Sequence, residues 1–312
     1  MRVLFLGGTT LTGPYAVRRL HSLGHEVTVF HRGEHETDLP PGVRHVHGEL
    51  AKLPQQMFHP LPDVVVHMWA MTQRDAESLL AAFRGRAGQA LVISSGDVYR
   101  AYGRFMRLES GPPDPIPLAE DAPLRQSRYP YRKVAPNAEH WMAQYDKILV
   151  EQVLIRQTEL PTTILRFPAV FGAKEYRRFK NWLQPMVRGE PDVRIQEGWA
   201  TWRWTHGFVE DVAEAIVFAA TKPLSAGRIY NAGEAQTPTM AERLAEYARA
   251  AGWRGRILET RASDLSEGER MPYDFSHHIV YDTTRIRTEL GFKEVVPHDQ
   301  VLARTLEFEK EG

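Results

Sequence analysis

The 312-residue chain has no cysteine, which excludes disulfides, thiolate nucleophiles and cysteine-type zinc sites and suits a cytoplasmic protein. Net charge is missing as well. Lys plus Arg balance Asp plus Glu at 39 each, so no overall field draws the chain to nucleic acid or to an anionic membrane. No apolar run approaches the ~20 residues that span a bilayer, so no membrane association is expected. Strand residues follow Met1 almost at once, so no signal peptide is expected, and no internal repeat or low-complexity tract is present. With 43% hydrophobic residues the chain can bury a large core, as one large domain or as two linked lobes.

The first thirteen residues organise the rest. A short apolar run, 3–6, leads into Gly7-Gly-Thr-Thr-Leu-Thr-Gly13, and Pro14 opens a stretch with Val17, Leu20 and Leu23 at helical spacing. Strand, tight turn and helix in that order form a phosphate cradle. Gly7, Gly8 and Gly13 admit a pyrophosphate close to the backbone, and the helix N-terminus favours an anion. Thr10 takes the place of a middle glycine and offers a hydroxyl. Further β-rich runs at 26–30, 43–47, 64–68, 90–94 and 162–166 alternate with helical or loop material, and the periodicity predicts helices over 14–23, 74–84, 140–158 and 209–221. This is the pattern of a parallel sheet covered on both faces. Thr239 to Glu242 is a capping box ahead of Leu244, Tyr247 and Ala248, with Gly252 as terminator. Proline and glycine concentrate in 110–136, which predicts a surface excursion.

The second strand ends where such folds read the adenosine ribose. An acid there accepts from the 2′-hydroxyl, whereas this sequence offers His31 and Arg32. Arginine pairs bidentately with phosphate, so NADP is expected, with NAD as the alternative. Glu49 and Leu50, after the third strand, are placed to meet the adenine amino group and ring.

A series of motifs covers almost the whole chain: Gly7 to Gly13, Val66-His-Met-Trp-Ala70, Ser94-Ser-Gly-Asp-Val-Tyr99, Lys147 to Glu151, Leu165-Arg-Phe-Pro168, Val170-Phe-Gly172, Phe208-Val-Glu-Asp-Val-Ala213 and Tyr230-Asn-Ala-Gly233. Their order resembles that of the extended short-chain dehydrogenase/reductases, the NAD-dependent epimerase/dehydratase family. The GGTxxxG loop and Arg32 look more like the atypical branch that includes the chloroplast stem-loop-binding proteins. The resemblance implies an α/β fold, a doubly wound Rossmann sheet over 1–172 with 204–233 returning to it. A smaller C-terminal α/β substrate lobe is then expected from 173–203 and 234–312. It also implies a homodimer through the helix that carries the active-site lysine. Cofactor contacts are implied for Gly7, Thr9, Thr10, Leu11, Thr12, Gly13, Trp69, Ala70, Ser94, Lys147 and Pro168.

The family's chemistry uses a tyrosine whose proton exchanges with a substrate hydroxyl, a nearby lysine, and a Ser or Thr that positions the substrate oxygen. Ser95 and Lys147 match two of these positions, and Asp97 is a candidate base. The tyrosine one helical turn before Lys147 is replaced by Ala143. Tyr145 lies two residues before the lysine, which in a regular helix turns it about 200° away. Tyr99, Tyr102, Tyr129 and Tyr131 are the phenols that the excursion can bring in. No metal is expected: His45 and His47 face one side of a strand but lack a third ligand, and His277-His278 is similar. Trp199, Trp202 and Trp204 with Arg203 read equally as a stacking surface or as core.

The expected function is an NAD(P)-dependent oxidoreductase, epimerase or dehydratase acting on a small sugar or nucleotide-sugar-like substrate. One alternative is an NADP(H)-binding sensor or scaffold without standard turnover. The other is an RNA-binding protein, for which Lys174, Arg177, Arg178 and Lys180 make a small local basic cluster and against which the balanced charge counts.

Overall fold

The structure, a computed structural model, describes residues 1–49, 52–54, 57, 59–172 and 178–310; Leu50, Lys174 and Arg177 lie outside them. In chain order the first half runs β1 (Arg2–Leu6), α1 (Gly13–Ser22), β2 (Glu26–His31), β3 (Arg44–His47), β4 (Val64–His67), α2 (Gln73–Phe83), β5 (Gln89–Ser95), α3 (Arg100–Phe105), α4 (Trp141–Gln144) and α5 (Lys147–Ile155). The second half runs β6 (Thr162–Phe167), β7 (Ala169–Phe171), α6 (Lys180–Val187), β8 (Asp192–Gln196), β9 (His206–Phe208), α7 (Val209–Thr221), β10 (Ile229–Asn231), α8 (Met240–Ala250), β11 (Arg256–Thr260), α9 (Thr284–Leu290) and α10 (His298–Lys310).

Seven strands form one parallel sheet in the order β3-β2-β1-β4-β5-β6-β10. Its two faces follow directly from side-chain alternation along each strand. Val3 and Phe5 of β1, with Leu91 and Ile93 of β5, pack against Val17 and Leu20 of α1 and Ile216 and Ala219 of α7. Leu4, Leu6, Ala90 and Val92 point the other way, onto Leu79 and Phe83 of α2 and Val150 and Leu154 of α5. Every apolar position of these strands is thus spoken for, which is why they read as continuous hydrophobic runs. The strand order reverses between β1 and β4, and the crevice outside the carboxyl ends at that point is where doubly wound sheets bind ligands. The loops after β1, β4 and β5 all open onto it.

A third cluster joins the later elements. β8 pairs with β11 and β7 with β9, both in parallel. Phe179, Leu183, Trp199, Trp202, Leu244 and Tyr247 pack there with Phe275 and Ile279. Trp199 and Trp202 are therefore core. Trp199 stacks on Trp182 at 4.2 Å, and Trp202 lies parallel to Phe105 at 4.5 Å. The capping box at Thr239 forms as the sequence predicts.

Two expectations are corrected. The excursion is not only surface, because Leu118 and Arg125 are buried within it. The single helix predicted over 140–158 is broken: Tyr145 (φ −62°, ψ 123°) and Asp146 (φ −161°, ψ 105°) are extended between α4 and α5. The break has an identifiable cause. The Asp146 carboxylate accepts from the Ile148 N–H at 3.0 Å, starting α5 afresh, and from Arg125 at 3.1 Å and the Tyr129 N–H at 2.8 Å. A buried carboxylate satisfied on several sides fixes a helix start more firmly than helical periodicity extends one.

Candidate active site

The glycine loop fits a dinucleotide pyrophosphate on its own geometry. Gly7 and Gly8 have φ of +80° and +106°, and a Cβ on Gly13 would sit 2.5 Å from the Gly8 backbone. Only glycine allows this closure. Among the described residues no side chain caps α1, and Pro14 occupies its first turn, so its N-terminal dipole is open to an anion. Thr9, Thr10 and Leu11 are partly exposed around the loop, whereas Thr12 is buried.

Ser95 and Asp97 meet Tyr145 and Lys147 at the carboxyl end of β5, with Tyr131 and Tyr102 behind them. Ser95 ends that strand, and its Oγ accepts from the Asp97 N–H at 3.2 Å. Asp97 is buried, and its Oδ2 accepts from the Tyr145 hydroxyl at 2.7 Å and from the Tyr131 hydroxyl at 3.1 Å. The Tyr131 oxygen also lies 2.8 Å from that of Tyr102. Lys147 Nζ donates to the carbonyls of Ala70 at 2.7 Å and Ile93 at 2.8 Å, and stands 5.8 Å from the Tyr145 ring centre.

Tyr145 therefore faces the site, contrary to the helical argument that turned it away. In extended backbone, residues two apart share a side. The break at 145–146 thus places the Tyr145 phenol beside Lys147 without the usual spacing. Ala143 is buried in α4, and its carbonyl accepts from Arg132. Of the other phenols, Tyr131 and Tyr102 reach the cluster. Tyr99 instead donates to Asn231 at 2.6 Å and receives Arg166, while Tyr129 lies under Arg132.

The electrostatics follow from burial. It pushes the Asp97 carboxyl up, against the pull of Arg125, and holds the Lys147 ammonium down at about 8. Tyr145 is raised well above the phenol range by burial and then by the Asp97 charge, while a hydrogen bond from Ser95 lowers it. His67, at the end of β4, is buried with both ring nitrogens unpartnered among the described residues, and burial lowers it to about 4.

The other expected cofactor contacts have the following surroundings. The Ser94 hydroxyl donates to Glu151 at 2.6 Å, so its proton is not free for a cofactor. Glu151 is buried against Arg166 at 2.7 Å. Trp69 is exposed beside Ala70 and meets Trp141 edge-on at 5.3 Å. Pro168 is buried between β6 and β7, against Gly207 and Gly233. Glu49 is exposed after β3.

The end of β2 departs from expectation, because carboxylates lie beside it. Arg32 pairs with Glu34 at 2.7 Å, and Glu36 Oε1 lies 2.9 Å from His47 Nε2. Glu36 Oε2 is 4.0 Å from His31 Nε2 and 3.9 Å from His45 Nδ1. His31 Nε2 and His45 Nδ1 are themselves 3.2 Å apart, and the Gly33 N–H donates to His31 Nδ1. With Nδ1 accepting, the His31 proton sits on Nε2, and the His31 and His45 rings are joined in a hydrogen-bonded chain. Glu36 carries no sequence signal of this role, because it is eleven residues from His47 with no periodic relation to it.

Comparison with known proteins agrees with this architecture. The model of the NAD dependent epimerase/dehydratase family matches residues 3–233. This chain belongs to that family. Among solved structures, the UDP-glucose 4-epimerase of Thermus thermophilus, in complex with NAD, is 20% identical with a TM-score of 0.68, covering 99% of each chain. The UDP-glucuronic acid 4-epimerase of Bacillus cereus, in complex with UDP-glucuronic acid and NAD, is 16% identical with a TM-score of 0.71, covering 100% of this chain and 99% of that one. An NAD-dependent NDP-hexosamine 5,6-dehydratase of tunicamycin biosynthesis is 18% identical with a TM-score of 0.71, covering 100% and 98%. At these identities the likeness is one of fold. No curated protein sequence matches the chain significantly.

Proposed function

We propose that the chain is a nicotinamide-dinucleotide enzyme that exchanges a proton with a hydroxyl of a sugar or nucleotide-sugar-like substrate, in an oxidoreductase, epimerase or dehydratase reaction. The observation that carries this reading is the convergence of Tyr145, Ser95, Asp97 and Lys147 at the same carboxyl edge of the sheet as the glycine loop. A bound nicotinamide would supply hydride acceptance or donation, and Gly7, Gly8 and Gly13 would hold its pyrophosphate. Ser95 orients the substrate oxygen. The Tyr145 oxygen exchanges the proton, and Asp97 Oδ2 takes or returns it at 2.7 Å, with Tyr131 and Tyr102 extending the chain. The Lys147 ammonium stabilises negative charge developing on the phenol.

In this reading 173–203 and 234–312 form the substrate side, and 1–172 with 204–233 the cofactor side. Arg32 supports NADP(H), while Glu34 and Glu36 support NAD(H). A cytoplasmic homodimer is the working assembly; among the described residues no helix is long and apolar enough to cross a membrane. The buried Lys147 and the phenol beside it favour turnover over a sensor or RNA-binding role. The test is incubation with NADP+ or NAD+ and a panel of nucleotide sugars, followed by mass spectrometry and nicotinamide absorbance. Turnover lost in Tyr145→Phe supports the reading. Failure to bind either cofactor, or a Tyr145→Phe protein as fast as the parent, refutes it.

A further inference from the structure

We infer that His31, His45, His47 and Glu36 form a proton-dependent reader of the adenosine 2′-position, so that the choice between NADP(H) and NAD(H) shifts with pH. The inference rests on the dinucleotide reading given above and adds the residues that set its specificity.

The position is fixed by the fold. His31 ends β2 and pairs in register with His47 at the end of β3, and this edge of the sheet is where the ribose is read. The rings are in contact: His31 and His47 centroids are 4.6 Å apart, and His31 and His45 are 5.4 Å apart. Exposure grades outward, from 5% for the His31 side chain through 28% for His45 to 56% for His47. The charged and titratable groups facing His31 are Glu36, His45 and His47. Beside them stands the exposed Arg32–Glu34 pair, and Glu49 lies beyond the end of β3.

With the imidazoles neutral, Arg32 is compensated by Glu34, and Glu36 leaves the pocket negative. That state repels a 2′-phosphate but can accept from a 2′-hydroxyl, which suits NAD(H). Histidine is the side chain that gains its proton as pH falls through the physiological range. Each imidazolium formed around Glu36 neutralises or reverses the local charge, and the pocket then suits a phosphate dianion. Linkage requires the converse: phosphate binding draws protons onto the rings. Burial lowers His31, and His45 and His47 are the rings more open to the ligand.

The test is calorimetry with NADP+ and NAD+ at pH values from about 8 to about 6, on the parent, Glu36→Gln and a His45→Asn/His47→Asn variant. One linked proton changes affinity by up to about tenfold per pH unit, so the NADP+/NAD+ affinity ratio of the parent should rise about tenfold or more across the range. In the double variant the ratio should stay nearly flat. Glu36 is exposed, so Glu36→Gln leaves the fold intact, and it should strengthen NADP+ binding several-fold at the alkaline end with little change for NAD+. A flat parent ratio overturns the inference while leaving the dinucleotide reading standing. So does an equal slope in the double variant, which would assign the effect to the phosphate's own ionisation near pH 6. Absence of binding by either cofactor overturns both.

Discussion

The Tyr145 phenol donates to Asp97 Oδ2 at 2.7 Å, and it does so from a stretch of extended chain, not from a helix. That bond ties the segment before α5 to the end of β5 and sets the phenol beside Lys147. Its consequences can be measured.

Tyr145→Phe should keep the fold and bind the cofactor within about threefold of the parent, because the glycine loop is untouched. Turnover of an accepted nucleotide sugar should fall by ~10²–10⁴-fold, the usual cost of a positioned acid/base. Restoring the family spacing with Ala143→Tyr should not raise the rate. Ala143 is buried, so the larger side chain should instead cost roughly 1–3 kcal/mol by overpacking, read from urea midpoints.

Gly13→Ala tests the loop closure. The added Cβ would meet Gly8 backbone at 2.5 Å, and backbone cannot swing aside as a side chain can. Dinucleotide affinity should drop by at least about tenfold, with a stability loss on the order of 1–3 kcal/mol. A variant that binds NADP+ and NAD+ as tightly as the parent would remove this turn from the cofactor site.

Stability should rise with pH through the alkaline range because of Lys147. Burial holds its folded pKa at about 8 against the ordinary value of 10.5, so the unfolded chain binds more protons between those values. The gain is on the order of 3 kcal/mol at most, at about 1.4 kcal/mol per unit. Urea midpoints at successive pH values should climb in the parent and stay level in Lys147→Met. An equal climb in that variant would assign the effect elsewhere.

His67 gives the acid counterpart. Its folded pKa of about 4 lies below the ordinary value of 6.5, so the stability contributed by the neutral ring is present above 6.5 and lost as pH falls towards 4. The loss is on the order of 3 kcal/mol. His67→Leu, which cannot charge, should unfold less steeply over that window. His206, lowered well below the usual imidazole range by burial, should keep part of the slope in either protein.

What the sequence determined by itself was local in cause. The β1-turn-α1 unit follows from Gly7, Gly8, Gly13 and Pro14, and α8 starts where Thr239 and Glu242 cap it. The parallel sheet follows from short apolar runs that bury both faces. Ser95 and Lys147 could be placed because each depends mainly on its own element. Tertiary structure decided the rest. Whether Tyr145 meets Lys147 depends on two backbone dihedral pairs, and those are set by Asp146 satisfying Arg125, twenty-one residues away in an excursion without periodicity. Trp199 and Trp202 became core, and not a stacking surface, because Phe105 and Trp182 arrive from distant segments to cover them. Glu36 joins three imidazoles only once β2 and β3 are in register and the loop between them folds back. A local pattern fixes which face a side chain takes within its element. Its partner across space comes from contacts between segments whose separation carries no period.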